Sequence, residues 1–505
     1  MKITLISPYP DITNFGIRTI SSFLKRNGHK TKIIILPDPY GDNLVFNTQR
    51  YDDNVLDEVV SLCKGSNLIG ITLMTNFFDG AVQITKKIKG SIDVPIIWGG
   101  VHPTIRPEES LKYADMVCIS DGEEAMLELA TKMENNENYS NIKGLWIKFN
   151  EKIIKTPLSY FNRNLDSYPI PDYSMDDHHI MLNGHMIPLT HEITKFYLEL
   201  HNPFLDYSVK KVCYQTMTGR GCPHKCTYCI NDTYKDLHKG EANLRWRSTH
   251  HVMEELMWVK EHMPYINMIV LSDDVFFARS QKNLEEFCNE YKTKIGMPFS
   301  CLASPLAFTE EKMAILVDAG LIWIKMGVQS GSSRIQELFN RKNMSNEKML
   351  HAMRIINKYK DRLLPPDYDF ILDVPYETDE DKVESLRFIS EIPKPFRLQP
   401  YSLVLYPETK LYHMAKKDGL IVDEKSQVYS KDYNVREPNY FNLLITLSKK
   451  GKFPSLLLKF LISKPVIKIF NSKIMKGSFK YIYRGLQDLS HLMKKGYERE
   501  TITAK

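Results

Sequence analysis

The sequence predicts an α/β chain in three parts: a doubly wound parallel sheet at the amino end, a partial (β/α) barrel in the middle, and a helical tail. Three observations predict it. Short β-branched and apolar runs alternate with amphipathic stretches through the first third, and again from Val212 to Leu403. Glycines and small polar residues gather at the carboxyl ends of those runs. From Phe441 onward the alternation stops and lysines dominate. Strand–helix alternation gives parallel sheets with helical crossovers. The boundaries read as 1–150 for the first domain, 151–205 for a linker or cap, 206–425 for the barrel, and 426–505 for a basic, mostly helical region.

In the first part, Ile3–Ile6 reads as a strand, Gly16–Asn27 as an amphipathic helix stopped by Gly28, and Lys32–Leu36 as a strand closed by Pro37. Strand Leu68–Met74, helix Phe78–Lys89 and strand Pro95–Trp98 follow. Met116–Ile119 is a fifth strand, and Asp121-Gly122-Glu123-Glu124 leads into a helix. This is a Rossmann/flavodoxin-like pattern, in which ligands lie beyond the carboxyl ends of the strands. Those ends carry Ser7, Thr72, Thr75, Gly99, Gly100, Gly122 and Glu123. Gly99 and Gly100 either make a turn or let a ligand approach the backbone.

In the second part, strand Val212–Met217 precedes Cys222, Cys226 and Cys229, spaced Cys-x3-Cys-x2-Cys. Helix Thr249–Met263, strand Met268–Leu271 and the end Ser272-Asp273-Asp274 come next. Helix Gln281–Tyr291, strand Phe299–Ala303, helix Glu310–Ala319 and strand Ile322–Gly327 continue the series to Gln329-Ser330-Gly331-Ser332. Strand Tyr368–Leu372, helix Asp379–Glu391 and strand Arg397–Leu403 complete it. Chemistry in such barrels sits at the strands' carboxyl ends.

The net charge of +6 over 505 residues implies no nucleic-acid partner. It hides an asymmetry. From Phe441 to Lys505, twelve Lys and two Arg face only Asp488, Glu498 and Glu500, so the rest of the chain is mildly acidic. The opening MKITLISPYP does not read as a signal peptide, and no apolar run is long enough to span a membrane. A cytoplasmic protein is expected. Phe453–Phe470 is a basic, apolar segment that Pro465 should kink or end. Such a segment can lie on an anionic membrane, or pack on its own body or on a partner.

Three of the eight cysteines fall within eight residues, which in a reducing compartment points to metal. Three thiolates on a tight loop suit a 4Fe–4S cluster with one open iron. The triplet with His224 or His201 could instead hold zinc. The other five cysteines read as core residues, with Cys301 a candidate exception. His178, His179, His185, His191 and His201 crowd the 174–205 stretch without an assigned role.

The text MTGRGCPHKCTYC, with LSDDVFF, GVQSGSSRIQELFNRKN, YDFILDVPYET and PYSLVLYPETKLYHMAKKDGLI, resembles radical SAM enzymes over Val212–Ile421. FGIRTISSFLKRNGH, GITLMTN, IIWGGVHPT, ISDGEEA and NLDSYPIPDY resemble the cobalamin-dependent branch, class B radical SAM methyltransferases. The resemblance implies that Cys222, Cys226 and Cys229 hold the 4Fe–4S cluster, beside Tyr228. It implies that S-adenosyl-L-methionine chelates the open iron and is cleaved to a 5′-deoxyadenosyl radical. Candidate S-adenosylmethionine contacts are Asp273, Asp274, Ser304, Gln329, Ser330 and Arg334, with Ser272 also placed; the acids and Ser332 could equally cap helices. Candidate cobalamin contacts are Ser7, Thr72, Thr75, Gly99, Gly100, Val101, Gly122 and Glu123. Asp-x-His-x-x-Gly is missing; His29 reads as a surface turn residue, so no histidine is expected below cobalt.

The implied function is methylation of an unactivated carbon of a small-molecule or lipid-linked substrate, through the radical and methylcobalamin. An electron donor such as a flavodoxin or ferredoxin would be needed. The alternatives are a non-methylating cyclisation, rearrangement or oxidation with the same cofactors, and a non-catalytic, zinc-stabilised corrinoid-binding protein.

Overall fold

The computed structural model describes residues 1–9, 12–37, 50–149, 152–200, 202–204, 211–239, 241, 244–472, 475, 478–479 and 481. His201 and most of the chain after residue 472 lie outside them. The chain divides into two compact units. The first comprises Met1–Ala303, Ala314–Ile322 and Val404–Asp432; the second comprises Ser304–Met313, Trp323–Leu403 and Tyr433–Lys505.

The first unit opens with β1 (Lys2–Ser7), β2 (Lys30–Ile35), β3 (Leu68–Thr72), β4 (Ile96–Gly99) and β5 (Met116–Cys118), all parallel. The order β5-β4-β3-β1-β2 makes the sheet doubly wound. β1 sits centrally because Ile3, Leu5 and Ile6 are apolar on both faces, as a strand covered twice must be. Helix Phe15–Arg26 turns Ile17, Phe23 and Leu24 inward. It ends as the pattern requires: Gly28 takes φ +87°, and the amides of Gly28 and His29 donate back to Lys25 O and Leu24 O.

That cap overturns the expectation for His29. The chain doubles back so tightly that His29 is buried, with Nδ1 3.1 Å from the Met1 amine and 3.5 Å from Glu134. Burial and the adjacent ammonium push its pKa down.

The stretch read as a linker or cap contributes strands to the first sheet. Together with β6 (Leu145–Phe149), β7 (Lys152–Ile154) extends the sheet antiparallel beyond β5. At the other edge β8 (His179–Leu182) pairs parallel with β2, and β9 (His185–Pro188) closes a hairpin on it. The sheet therefore has nine strands among the described residues. A buried node fastens the new edge. Asp172 accepts from Ser21 Oγ at 2.5 Å and lies 3.1 Å from His178 Nε2, while His178 Nδ1 accepts from Ile33 N. These partners hold the Asp172 carboxyl far below its usual range despite burial.

The first unit then adds β10 (Cys213–Thr216), the short antiparallel pair β11 (Gly219–Arg220) and β12 (Arg245–Trp246), and β13 (Met268–Leu271) and β14 (Phe299–Ala303). β10, β13 and β14 pair in parallel in that order. In the second unit β15 (Leu321–Gln329, from Trp323 onward), β16 (Asp367–Leu372) and β17 (Arg397–Ser402) do the same. Helix Asn346–Asn357, not read from the sequence, packs Met349, Met353 and Ile356 inward. The tail forms helices Tyr440–Ser448, Ser455–Leu461 and Lys464–Phe470. Helix Ser455–Leu461 ends and a new one starts at Lys464, so the expected break falls just before Pro465, which lies in the first turn of the last helix, where its missing N–H costs nothing. Among the described residues no helix is long and apolar enough to cross a membrane.

Candidate functional site

Within the first unit a cavity of about 380 Å³ opens at the carboxyl ends of β3, β4 and β5. The strand ends supply Thr72, Gly99, Gly100, Gly122 and Glu123, the cysteine loop and its flanks supply Met217, Gly221 and Asn231, and the segment after Leu271 supplies Asp274. Two segments far apart in sequence thus share one chamber. Ser7, Thr75 and Val101 do not line it. Ser7 is buried and accepts from Asn14 Nδ2 at 2.5 Å, and Thr75 Oγ1 pairs with His102 Nδ1 at 3.2 Å. His102 is sealed against Phe78 and Tyr429, and burial pushes its pKa down to about 3.

The backbone at the glycine pair is shaped for close approach. Gly100 has φ +96°, and a Cβ there would stand 2.9 Å from Leu73 O and 2.9 Å from Thr72 Oγ1. A Cβ on Gly99 would meet only Cys118, at 3.9 Å. The cavity wall formed by Leu5, Ile17, Gly70, Ile97 and Met126 is apolar. Glycine-lined backbone, an apolar wall and a few polar groups fit a large cofactor with an apolar ring and polar amide arms, such as cobalamin. Among the described residues no histidine lines the cavity.

A charged network closes one side. Arg220 Nη2 donates to buried Glu123 at 2.5 Å and Nη1 lies 3.5 Å from Asp121; Arg245 Nη1 donates to Asp121 at 2.7 Å. Both arginines hold the Asp121 carboxyl low against the desolvation that would raise it. Arg245 also stacks over Phe161, which packs on His238 at 3.9 Å. Sequence reading missed Asp121, Arg220, Arg245, Phe161 and Tyr234 as cavity residues. Arg220, two residues before Cys222, was the one visible hint.

Cys226 is buried, while Cys222, Cys229 and Tyr228 are half-buried on the loop before helix Ile230–Leu237. Burial pushes the Cys222 thiol up to about 11 and the Cys229 thiol up to about 12, opposed by amide hydrogen bonds from His224 and Asn231 to their sulfurs. These thiols are therefore protonated at neutral pH until metal displaces the protons. Sulfur donors with amide N–H groups aimed at them fit a thiolate-held cluster. Among the described residues, no three His, Cys, Asp or Glu side chains are grouped to hold a single ion.

The paired acids after β13 divide. Asp273 is buried away from the cavity, accepting from Thr218 Oγ1 at 2.8 Å; Arg279 donates to Thr218 O at 2.9 Å and caps the arrangement. Desolvation raises Asp273 to about 6. Asp274 lines the cavity and accepts from Asn231 Nδ2 at 3.1 Å. Asp274 is thus the acid placed to meet a ligand.

The remaining candidates belong to the second unit. Ser304 Oγ is buried without a hydrogen-bond partner. Gln329 ends β15 at a bulge, with φ +73°. Ser330 pairs with Ser385 Oγ at 3.2 Å, Arg334 is clamped on Asp381, and Ser332 caps the following helix. Ser304 and Gln329 are the two left available to a ligand. One face of β15–β17 is also unexpectedly polar: Lys325 Nζ donates to Tyr401 Oη at 2.9 Å and lies 3.3 Å from Asp369, all half-exposed. Parallel strands are usually apolar on both faces, so a polar one suits a ligand.

Residues 1–130 match the B12 binding domain family and residues 216–389 match the Radical SAM superfamily. The chain is 21% identical over 362 residues to cytidylyl-2-hydroxyethylphosphonate methyltransferase of Streptomyces wedmorensis. That match covers 67% of this chain and spans less than two thirds, 65%, of the relative. Among solved structures it resembles the radical S-adenosylmethionine methyltransferase TsrM of Kitasatospora setae with tryptophan substrate and a SAM analog. The TM-score is 0.63 at 15% identity, over 83% of this chain and 77% of that one. It also resembles the cobalamin-dependent S-adenosylmethionine radical enzyme OxsB. There the TM-score is 0.65 at 14% identity, over 98% of this chain and 80% of that one. These two likenesses speak to the fold: a doubly wound domain followed by a partial (β/α) barrel. The chain therefore belongs to the radical SAM enzymes that carry a B12 binding domain, and its cofactors are a 4Fe–4S cluster, S-adenosyl-L-methionine and cobalamin.

Proposed function

We propose that this enzyme transfers a methyl group to an unactivated carbon of a small-molecule or lipid-linked substrate. The observation that carries the proposal is the shared cavity, lined both by the glycine ends of the B12 binding domain and by Asn231 and Asp274 beside the cysteine loop. When bound, the cofactors supply a 5′-deoxyadenosyl radical to take a hydrogen atom and methylcobalamin to deliver the methyl group. A flavodoxin or ferredoxin is the expected electron donor.

The chain's own residues place and shield. Cys222, Cys226 and Cys229 offer three thiolates and leave a fourth position open. Asp274, oriented by Asn231, offers a carboxylate to the amine of S-adenosylmethionine. The Glu123–Arg220–Asp121–Arg245 network is internally neutralised, so it walls the chamber without free charge. Tyr234 and Phe161 help to keep water from a reactive radical. Methyl-transferring relatives favour this reading over a non-methylating rearrangement with the same cofactors, and the cluster assignment removes the zinc-stabilised carrier.

The test is to incubate the anaerobically reconstituted enzyme, a low-potential reductant and methyl-deuterated S-adenosylmethionine with a metabolite extract. The expected result is a product carrying the deuterated methyl, formed with 5′-deoxyadenosine. Substrate-dependent 5′-deoxyadenosine with the label retained only in methionine would reject methyl transfer and leave a cyclisation, rearrangement or oxidation.

A further inference from the structure

We propose that helices Ser455–Leu461 and Lys464–Phe470 form a docking surface for membranes with anionic headgroups, lying in the plane of the interface. The helices are anchored on one side. Leu458 and Ile462 are buried, Tyr440 stacks on Phe470 at 4.7 Å, and Tyr440 Oη donates to Leu461 O at 3.0 Å. Lys394 Nζ donates to Phe453 O at 2.8 Å, and Asn471 Nδ2 donates to Asp379 at 2.7 Å.

The opposite side is apolar and exposed at helical spacing. Leu456 is 82% exposed, Phe460 63%, Leu457 43%, and Ile469 on the next helix 62%. Single exposed apolar residues need no explanation, but a cluster does. Lys452, Lys459, Lys464 and Lys468 are exposed among them. From Phe441 to Ser472 the chain has six lysines and no Asp or Glu.

The charge pattern selects the occupant. A second copy of the same face would set lysines against lysines. A nucleic acid would leave Leu456 and Phe460 without a partner. An anionic bilayer satisfies both, with lysines at the phosphates and Leu and Phe below them. Each helix has seven residues, too few to span, so the surface lies on the bilayer. The inference goes beyond methyl transfer and accounts for the tail's charge; an enzyme docked this way meets lipid-linked substrates.

The test is co-sedimentation of the full-length, cofactor-loaded protein with vesicles of phosphatidylcholine alone or mixed with phosphatidylglycerol. Binding to the mixed vesicles, weakened by salt, is expected. The Leu456→Glu, Phe460→Glu double variant should partition at least about tenfold less while keeping its cluster absorbance. Lys459→Glu with Lys468→Glu should weaken binding and flatten its salt dependence. No binding to mixed vesicles, or equal binding by the apolar double variant, overturns the proposal. So does a dimer that this variant abolishes without vesicle binding, which would assign the face to a second copy. Vesicle binding requires no turnover, so its failure leaves the methyl-transfer reading untouched.

Discussion

Replacing Gly100 by alanine tests how the B12 binding domain presents its backbone. Gly100 has φ +96° and ψ −164°, a region that residues with a Cβ avoid at about 1–3 kcal/mol. The new methyl would also stand 2.9 Å from Leu73 O and 3.2 Å from Leu73 N. Those atoms cannot retreat cheaply. Leu73 N donates to Gly99 O at 3.0 Å and Leu73 O accepts from His102 N at 3.2 Å, bonds that hold the β3–β4 junction. Overpacking against fixed atoms adds about 1–3 kcal/mol. Gly100→Ala should therefore lose about 2–6 kcal/mol, a large share of a domain's stability. Gly99→Ala is the control, since its Cβ meets only Cys118 at 3.9 Å. It should unfold like the parent yet retain less cobalamin, because its methyl enters the cavity lining. Urea unfolding of the cofactor-free chain, followed by circular dichroism, measures the first effect; bound cobalamin after gel filtration measures the second. A Gly100→Ala chain as stable as the parent would refute the strain argument, and undiminished cobalamin in Gly99→Ala would refute the placement.

Other outcomes follow from the same site and its surroundings. Arg220→Met leaves Glu123 buried without its partner and should cost about 2–4 kcal/mol in urea unfolding, less than a wholly buried pair because Arg220 is partly solvated. Glu123→Gln should cost less. Asp274→Asn should keep its iron and its stability but form less 5′-deoxyadenosine, whereas Asp273→Ala, which removes the acceptor of the Thr218 hydroxyl and leaves that hydroxyl only Arg279 as a donor, should lose about 1–3 kcal/mol. In the second unit, burial and the nearby acids Asp381 and Asp373 raise Glu377 from 4.5 to about 8. Between those values the folded chain keeps a proton that the unfolded chain has lost, so this residue's stabilisation falls as pH rises. Glu377→Gln should flatten the pH dependence of the unfolding midpoint in that window, and an unchanged slope would contradict the assignment.

What was legible in the sequence was local. The five parallel strands, the glycine pair and the cysteine spacing are each written within a few consecutive residues, and they appear where expected. The edges of the first sheet were not legible, because β8 pairs with β2 across more than a hundred residues and reads as a polar linker. The cavity network was hidden for the same reason: Asp121 meets Arg220 and Arg245 only after two domains fold together in one unit. Paired acids such as Asp273 and Asp274 look alike in sequence, and only the course of the loop after β13 decides which one faces the cavity. Arg106 is a further case, since it bonds Tyr412 and Glu424 about three hundred residues away.

The central claim is that one chain holds both cofactor systems and uses them together. Anaerobic reconstitution with iron, sulfide and hydroxocobalamin, followed by metal analysis and a 5′-deoxyadenosine assay, tests it most directly. The account predicts about four irons and about one cobalt per chain, with nucleoside formation lost in Cys226→Ala. Zinc in place of iron, with no 5′-deoxyadenosine from the parent protein, would contradict it.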